Sequence, residues 1–318
     1  MQWLLDGFDV MQLWLFESVV QPVLVTLGAS ALLEDAYDAT MWLLIGLLEL
    51  GFMVLVFGAL ERWRPVEAIT DRHQIRIDVV YTLIHRLGLF RLVLYFTLLP
   101  LSLSIIGWLH VQGVSLQPVD QIWPGVTDRP WVSLVIYLLI FDFVDYFYHR
   151  AQHRWSRFWA LHAVHHSQRQ MTLFSDNRNH LLDDLLRSIV LVVVSFLVGV
   201  SPGQFVLIVV LTQLLESLSH SNVRIGFGRW FERVLVSPKY HRHHHAIEPN
   251  ASTAGSPYGY NFAVLFPIWD VLFGTARFDG NFAPTGIHEQ LESAGGRDYG
   301  KSFWSQQWIG LKNMVKLS

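Results

Sequence analysis

Residues 131–166 read WVSLVIYLLIFDFVDYFYHRAQHRWSRFWALHAVHH. The first half, 131–148, is aliphatic and aromatic apart from a few small or acidic residues such as Asp142 and Asp145. The second half, 149–166, holds five histidines. A run of this kind suits a helix crossing a bilayer, whose hydrocarbon core takes about 20 apolar residues to traverse. The histidines that follow are metal-ligand chemistry. The stretch therefore places imidazoles at the foot of a membrane span.

The composition around it agrees. Of 318 residues, 52% are hydrophobic and 15% charged, against about 25% charged in an ordinary soluble domain. Net charge is −3, so there is no basic face for nucleic acid and no such partner is expected. Cysteine is absent, which excludes disulfides, thiolate catalysis and thiolate-ligated zinc or iron–sulfur centres.

Further spans are predicted on both sides. Residues 41–60, MWLLIGLLELGFMVLVFGAL, carry one acid, Glu49. Residues 79–109 read as an amphipathic entry containing His85, Arg86 and Arg91, followed by a crossing at 92–109. Residues 189–219 form two apolar runs around Ser201-Pro202-Gly203, each about three to four turns, which predicts a short re-entrant hairpin. Residues 10–33 read either as a surface helix or as another span, and without a basic n-region they do not resemble a cleaved signal peptide. No Lys or Arg precedes Arg62, whereas ERWRP and DRHQIR follow the 41–60 span. The positive-inside rule then puts residues 61–77 in the cytoplasm, and two more crossings return the chain there near His149.

The expected fold is all-α: an integral membrane protein of three or four transmembrane helices plus a short re-entrant hairpin, capped by a cytoplasmic helical histidine-rich dimetal domain. A bacterial inner membrane or the endoplasmic reticulum would house it. The expected organisation is N-terminal membrane helices (1–130), a catalytic region (131–276) and a C-terminal tail (277–318). The tail closes on an interfacial helix bearing Phe303, Trp304 and Trp308.

Eleven of the fifteen histidines lie between His149 and His245. His149 and His153 form HxxxH; His162, His165 and His166 form HxxHH; His241, His244 and His245 form a second HxxHH. Offsets of three and four share a helical face, so each box is expected to aim its imidazoles at one point. A shuffled chain of this composition holds about 0.03 copies of HxxHH, and here there are two. His180 and His220 extend the set. One metal takes about four ligands, so this many histidines imply two metals, and a thiol-free imidazole set favours iron and oxygen chemistry. Asp142, Asp145 and His149 share a helical face, which suggests carboxylates accepting the second ring N–H of ligand histidines. Glu216, four residues before His220, reads as a ligand or an orienting group. Asp145 and Glu216 are thus the candidate catalytic acids.

DYFYHRAQH, LHAVHH, a lone His180, HSN, YHRHHH, YGYNF and WDVLFGT together resemble the fatty acid hydroxylase/sterol desaturase superfamily over roughly residues 135–276. The resemblance implies an integral-membrane di-iron oxygenase using O2 and electrons from an external donor to hydroxylate or desaturate a lipid. Residue by residue it implies metal ligation by His149, His153, His162, His165, His166, His180, His220, His241, His244 and His245. The chain departs from the family at Pro257-Tyr258-Gly259, where many members carry Asn-Tyr-Gly, and at Glu216, where some carry another histidine. His243 falls off the metal face. No cytochrome b5-like or flavin domain is visible, so a separate ferredoxin-, cytochrome b5- or flavin-type partner would supply electrons.

The remaining histidines, His73, His85, His110 and His288, read as ordinary polar or packing residues. A lipid headgroup site at His85, Arg86 and Arg91 is a second reading. Tyr258, Trp269 and Asp270 read as folding residues packing a loop over the site. A lipid is expected to slide its tail between the spans to the histidines. Two rival functions predict different behaviour. A membrane dizinc lipid hydrolase would need neither O2 nor reductant, and a metal transporter or store would keep its histidines and acids within the spans.

Overall fold

An apolar segment in a bilayer finds no water for its peptide groups, so it closes its hydrogen bonds internally as helix. The chain follows this rule almost throughout. The structure is a computed structural model describing residues 2–113, 118–247 and 259–316. Among these, β pairing amounts to two isolated bridges, Pro65 with Val223 and Ala246 with Thr285. Pro257 and Tyr258 of the Pro-Tyr-Gly departure and the side chain of His110 lie outside the described residues.

Among the described residues, four helices are long and apolar enough to cross a membrane: α1 (Asp6–Thr26), α2 (Ser30–Trp63), α5 (Pro130–Arg154) and α8 (Pro202–His220). Between them run α3 (Arg72–Arg86), α4 (Leu89–Val111), α6 (Ser156–His166) and α7 (Leu181–Val198). Three short helices follow: α9 (Gly228–Phe231), α10 (Pro238–His244) and α11 (Ile268–Leu272). The last helix, α12 (Phe303–Lys316), packs on α6. The ambiguous N-terminal segment is thus a helix of spanning length.

The expected short hairpin at 189–219 is corrected. α7 and α8 have 18 and 19 residues, about 27 and 28 Å at 1.5 Å per residue, or five turns each. The apolar run begins at Ile189, but the helix starts two turns earlier. Its polar first turns, with Asp183, Asp184 and Arg187, are satisfied inside the protein by Tyr148, His85 and Asp145. The turn into α8 needs a glycine at 199: its φ is +66°, and a Cβ there would come within 2.7 Å of Pro118.

The polar residues of the spans face one another. Arg86 is fully buried. Its Nη1 donates to Glu49 (2.9 Å) and Gln213 Oε1 (2.9 Å), and its Nη2 to Asp176 (3.0 Å) and Ser217 (2.8 Å). One guanidinium thereby ties α2, α3, α8 and the 175–177 turn together. The lipid-headgroup reading of this region loses Arg86 to these partners and His85 to Asp184 (2.9 Å), while Arg91 lies over the Trp42 ring at 4.1 Å and donates to Gln213 Oε1 (3.0 Å). Helices α2 and α3 approach closely at Gly46, where an added Cβ would lie 1.6 Å from the Arg86 carbonyl oxygen.

Removing one partner of a buried ion pair strands the others, typically by about 3–5 kcal/mol. Arg86→Met is therefore expected to lower the apparent Tm in detergent steeply, and by more than Glu49→Gln, which keeps an acceptor. Gly46→Ala is expected to destabilise by at least about 1–3 kcal/mol through overpacking. Thermal unfolding of the three purified variants checks the order.

Candidate metal centre

α5 carries His149 and His153 on its last turns, and α6 follows at once with His162, His165 and His166. α8 ends on His220. α10, seven residues long, starts on Pro238 with the Ser237 hydroxyl accepting from Tyr240 N–H (3.1 Å) and presents His241 and His244, with His245 at its C-terminal cap. Nine histidines from four helices thus converge.

They form two groups, one of His149, His153, His162, His166 and His244, the other of His165, His220, His241 and His245. Within each group the candidate donor atoms lie within 4.8 Å of one another. Each HxxHH box is split between the two. His162 and His166 enter the first group while His165 enters the second; His241 and His245 enter the second while His244 enters the first. The expectation that each box aims at one point is corrected by helical geometry. At about 100° per residue, positions i and i+4 differ by about 40°, whereas i+3 and i+4 diverge by about 100°.

The nitrogens show what the groups are for. His149, His244 and His220 each spend Nδ1–H on a backbone carbonyl: Phe262 O at 2.8 Å, Tyr260 O at 2.7 Å and Glu216 O at 2.7 Å. Their Nε2 atoms must then be bare lone pairs. His149 Nε2 has no partner, and neither nitrogen of His162 has one. His244 Nε2 lies 3.1 Å from His166 Nε2; His220 Nε2 lies 3.1 Å from His165 Nε2 and 2.9 Å from His241 Nε2. Two donors at right angles on a metal with bonds of about 2.1 Å stand about 3.0 Å apart, so these spacings fit metal coordination. Burial pushes His162, His165, His166, His241, His244 and His245 well below the ordinary histidine range. They are neutral at pH 7 and positioned for metal binding.

His180 stands apart from both groups. Its Nε2 donates to Gln307 O (2.8 Å), and its Nδ1 accepts from Leu182 N–H (3.1 Å) as the N-cap of α7. Both nitrogens are engaged, so the ligand role implied by the resemblance finds no free lone pair there. His243 packs against Tyr260, off the groups as expected.

The acids do not accept from the histidines as anticipated. Asp145 takes Arg187 in a bidentate pair (2.7 and 2.8 Å), and Glu216 shares the same guanidinium at 3.2 Å. Asp142 accepts from the N–H groups of Leu265 and Phe266 (2.7 and 2.8 Å). Asp270 accepts from Phe262 N–H, Ala263 N–H, Tyr240 and Thr275. These two acids brace the 260–266 loop, whose carbonyls orient His149 and His244. Asn261, between those carbonyls, takes a positive φ of 58°, which Asn tolerates better than most residues.

Two residues escaped the sequence reading. Asp183, held by Tyr148 (2.9 Å) and Gln152 (2.7 Å), lies 3.5 Å from His162 Nδ1. Arg187 pairs both candidate acids. Their only signal was spacing after His180, in a stretch before the apolar run at 189–219 to which the sequence reading gave no role. An all-imidazole donor set brings no negative charge, so Asp145, Asp183 and Glu216 are the nearby carboxylates that would balance cations held there.

His162→Ala is expected to lower metal content sharply and His180→Ala to retain it, measured by elemental analysis of purified protein. The metal-free protein should lose stability as pH falls below about 6.5. There the unfolded chain takes up protons that the buried imidazoles, with lowered pKa values, do not. Thermal melts from pH 8 to 5 check this.

Residues 134–275 match the fatty acid hydroxylase family model. The chain is 25% identical to an ornithine lipid hydroxylase of Rhizobium tropici over 224 residues, covering 70% of this chain and 64% of that protein. It is 28% identical to an alkylglycerol monooxygenase of Danio rerio (54% and 38% covered) and 22% identical to a lathosterol oxidase of Rattus norvegicus (60% and 64%). The matched stretch therefore spans less than two thirds of each of these relatives. No solved structure matches the chain significantly. Spans, split histidine boxes and matched residues point the same way: residues 134–275 of this chain are a fatty acid hydroxylase-like region.

Proposed function

We propose that this protein is a membrane-bound di-iron oxygenase that hydroxylates a C–H bond of a lipid. The observation that carries the reading is the pair of neutral imidazole groups whose ring nitrogens converge at 2.9–3.1 Å, with the Nε2 atoms of His220 and His244 left bare by their carbonyl bonds. His149, His153, His162, His166 and His244 would hold one iron, and His165, His220, His241 and His245 the other. When bound, the two irons supply reductive activation of O2. The overall reaction is R–H + O2 + 2 electrons + 2 protons giving R–OH + H2O. The electrons come from a separate one-electron carrier of ferredoxin, cytochrome b5 or flavin type.

The protein's own part is to hold and to shield. Backbone carbonyls of Phe262, Tyr260 and Glu216 keep three imidazoles in one tautomer. Burial of the nine rings keeps bulk water from the reacting carbon. The Arg187 guanidinium fixes Asp145 and Glu216 beside the groups. Iron over zinc is supported by the relatives' names, which describe hydroxylase, monooxygenase and oxidase activities. The same names support a lipid substrate. The basic residues after α2 support a cytoplasmic placement of the site, and residues 131–276 are the proposed catalytic region.

Protein purified from iron-replete cells is expected to carry about two irons per chain, with the magnetic coupling of a bridged pair in Mössbauer spectra. It should consume O2 only with reductant and a lipid. Two zincs and lipid hydrolysis without O2 would move the assignment to a hydrolase, and the absence of stoichiometric metal would end both readings.

A further inference from the structure

A cavity of about 130 Å³ opens against both imidazole groups, with His149, His162, His165, His220 and His241 in its wall. If an acyl tail were the reacting part, its methylenes would have to fill this space. The lining does not suit them. Beside the imidazoles the wall holds Tyr148, Gln152, Asp183, Asp184, Arg187 and Glu216, and Val264 is the one aliphatic residue in it. A hydrocarbon chain placed there would strip water from these polar groups and return no hydrogen bond, a net loss per group larger than the gain per methylene.

The cavity's level in the membrane agrees. The histidines of α5 and α8 sit on the final turns of helices of spanning length. The ends of such helices lie at the boundary of the hydrocarbon core, where lipid heads rather than tails reside. The buried nitrogens of His149 and His162 that lack partners border the same space, so a group lodged there lies directly beside the metal positions.

On the strength of the oxygenase reading above, we infer that the carbon attacked belongs to the polar head of the lipid, and that this head is rich in hydrogen-bond donors, hydroxyl or amine, rather than a phosphate. Acids outnumber bases in the wall. Asp145, Asp176, Asp183, Asp184 and Glu216 stand against Arg187 and His85. Each acid already has a partner, yet a carboxylate accepts several hydrogen bonds through its two oxygens, whereas the one arginine is committed to Asp145 and Glu216. A phosphate would face carboxylates, whereas hydroxyl or amine hydrogens meet acceptors. The tail then stays in the bilayer beside the spans. The sliding-tail expectation is replaced by a head that descends to the metals from the membrane surface.

The test compares lipids of the cells of origin with and without the gene, grown under 18O2. Tandem mass spectrometry assigns the label to head or acyl fragments. Gene-dependent 18O in a head fragment is expected, on a lipid whose head carries hydroxyl or amine groups. Gene-dependent 18O in an acyl fragment overturns this inference and leaves the oxygenase reading standing. Equal lipids in both strains, with no gene-dependent 18O, overturn the oxygenase reading and this inference with it. With the identified lipid, Tyr148→Phe and Asp184→Asn are expected to raise KM about tenfold or more while metal per chain stays unchanged. An unchanged KM in both overturns the placement of the head in this cavity.

Discussion

Nine imidazoles, eight of them buried and His153 partly so, crowd together in an arrangement suited to holding cations. Three have their tautomer set by carbonyls that accept Nδ1–H, which leaves bare Nε2 atoms. Lone pairs 2.9–3.1 Å apart repel, and hydrogen bonds within the set can relieve only some of the contacts. The surrounding structure holds the rings in place against that repulsion. Four helices deliver them, and a braced loop grips their outer nitrogens.

The bracing is indirect, and this explains where the acids went. A carboxylate bonded to each ring would add charge and pull the imidazole towards imidazolate. Here backbone carbonyls do the orienting, and carboxylates act one layer further out. Asp142 and Asp270 fasten the 260–266 loop through its N–H groups, so the carbonyl of Phe262 meets His149 and that of Tyr260 meets His244. Asp145 and Glu216 share Arg187 instead of touching a ring. This keeps negative charge close to the metal positions without occupying donor sites.

The same economy holds within the membrane. Glu49, Arg86, Asp176, Gln213 and Ser217 would each be costly facing lipid, yet they meet around one guanidinium and join α2, α3 and α8. The polar first turns of α7 work likewise against α5. Helices with this much buried polarity fit together in one register, because a shift of one residue would break several charged bonds at once. That register is what brings His149 and His220 into the wall of one cavity.

Much of this was legible in the chain before any coordinates. Apolar run lengths and the bilayer's ban on unpaired peptide groups determine an all-α membrane protein. HxxxH and two HxxHH boxes determine that imidazoles gather beside a span, since offsets of three and four share a face whatever the tertiary fold. Only the tertiary structure decided how the boxes divide between two groups, because the pairing of His162 and His166 with His244 depends on how α6 meets α10, not on spacing within either. It also moved His180 out of the set, since the α12 carbonyl that takes its ring N–H lies 127 residues away. The partners of Asp145 and Glu216 were equally hidden: Arg187 lies 42 and 29 residues from them, and a local pattern carries no record of such distant contacts.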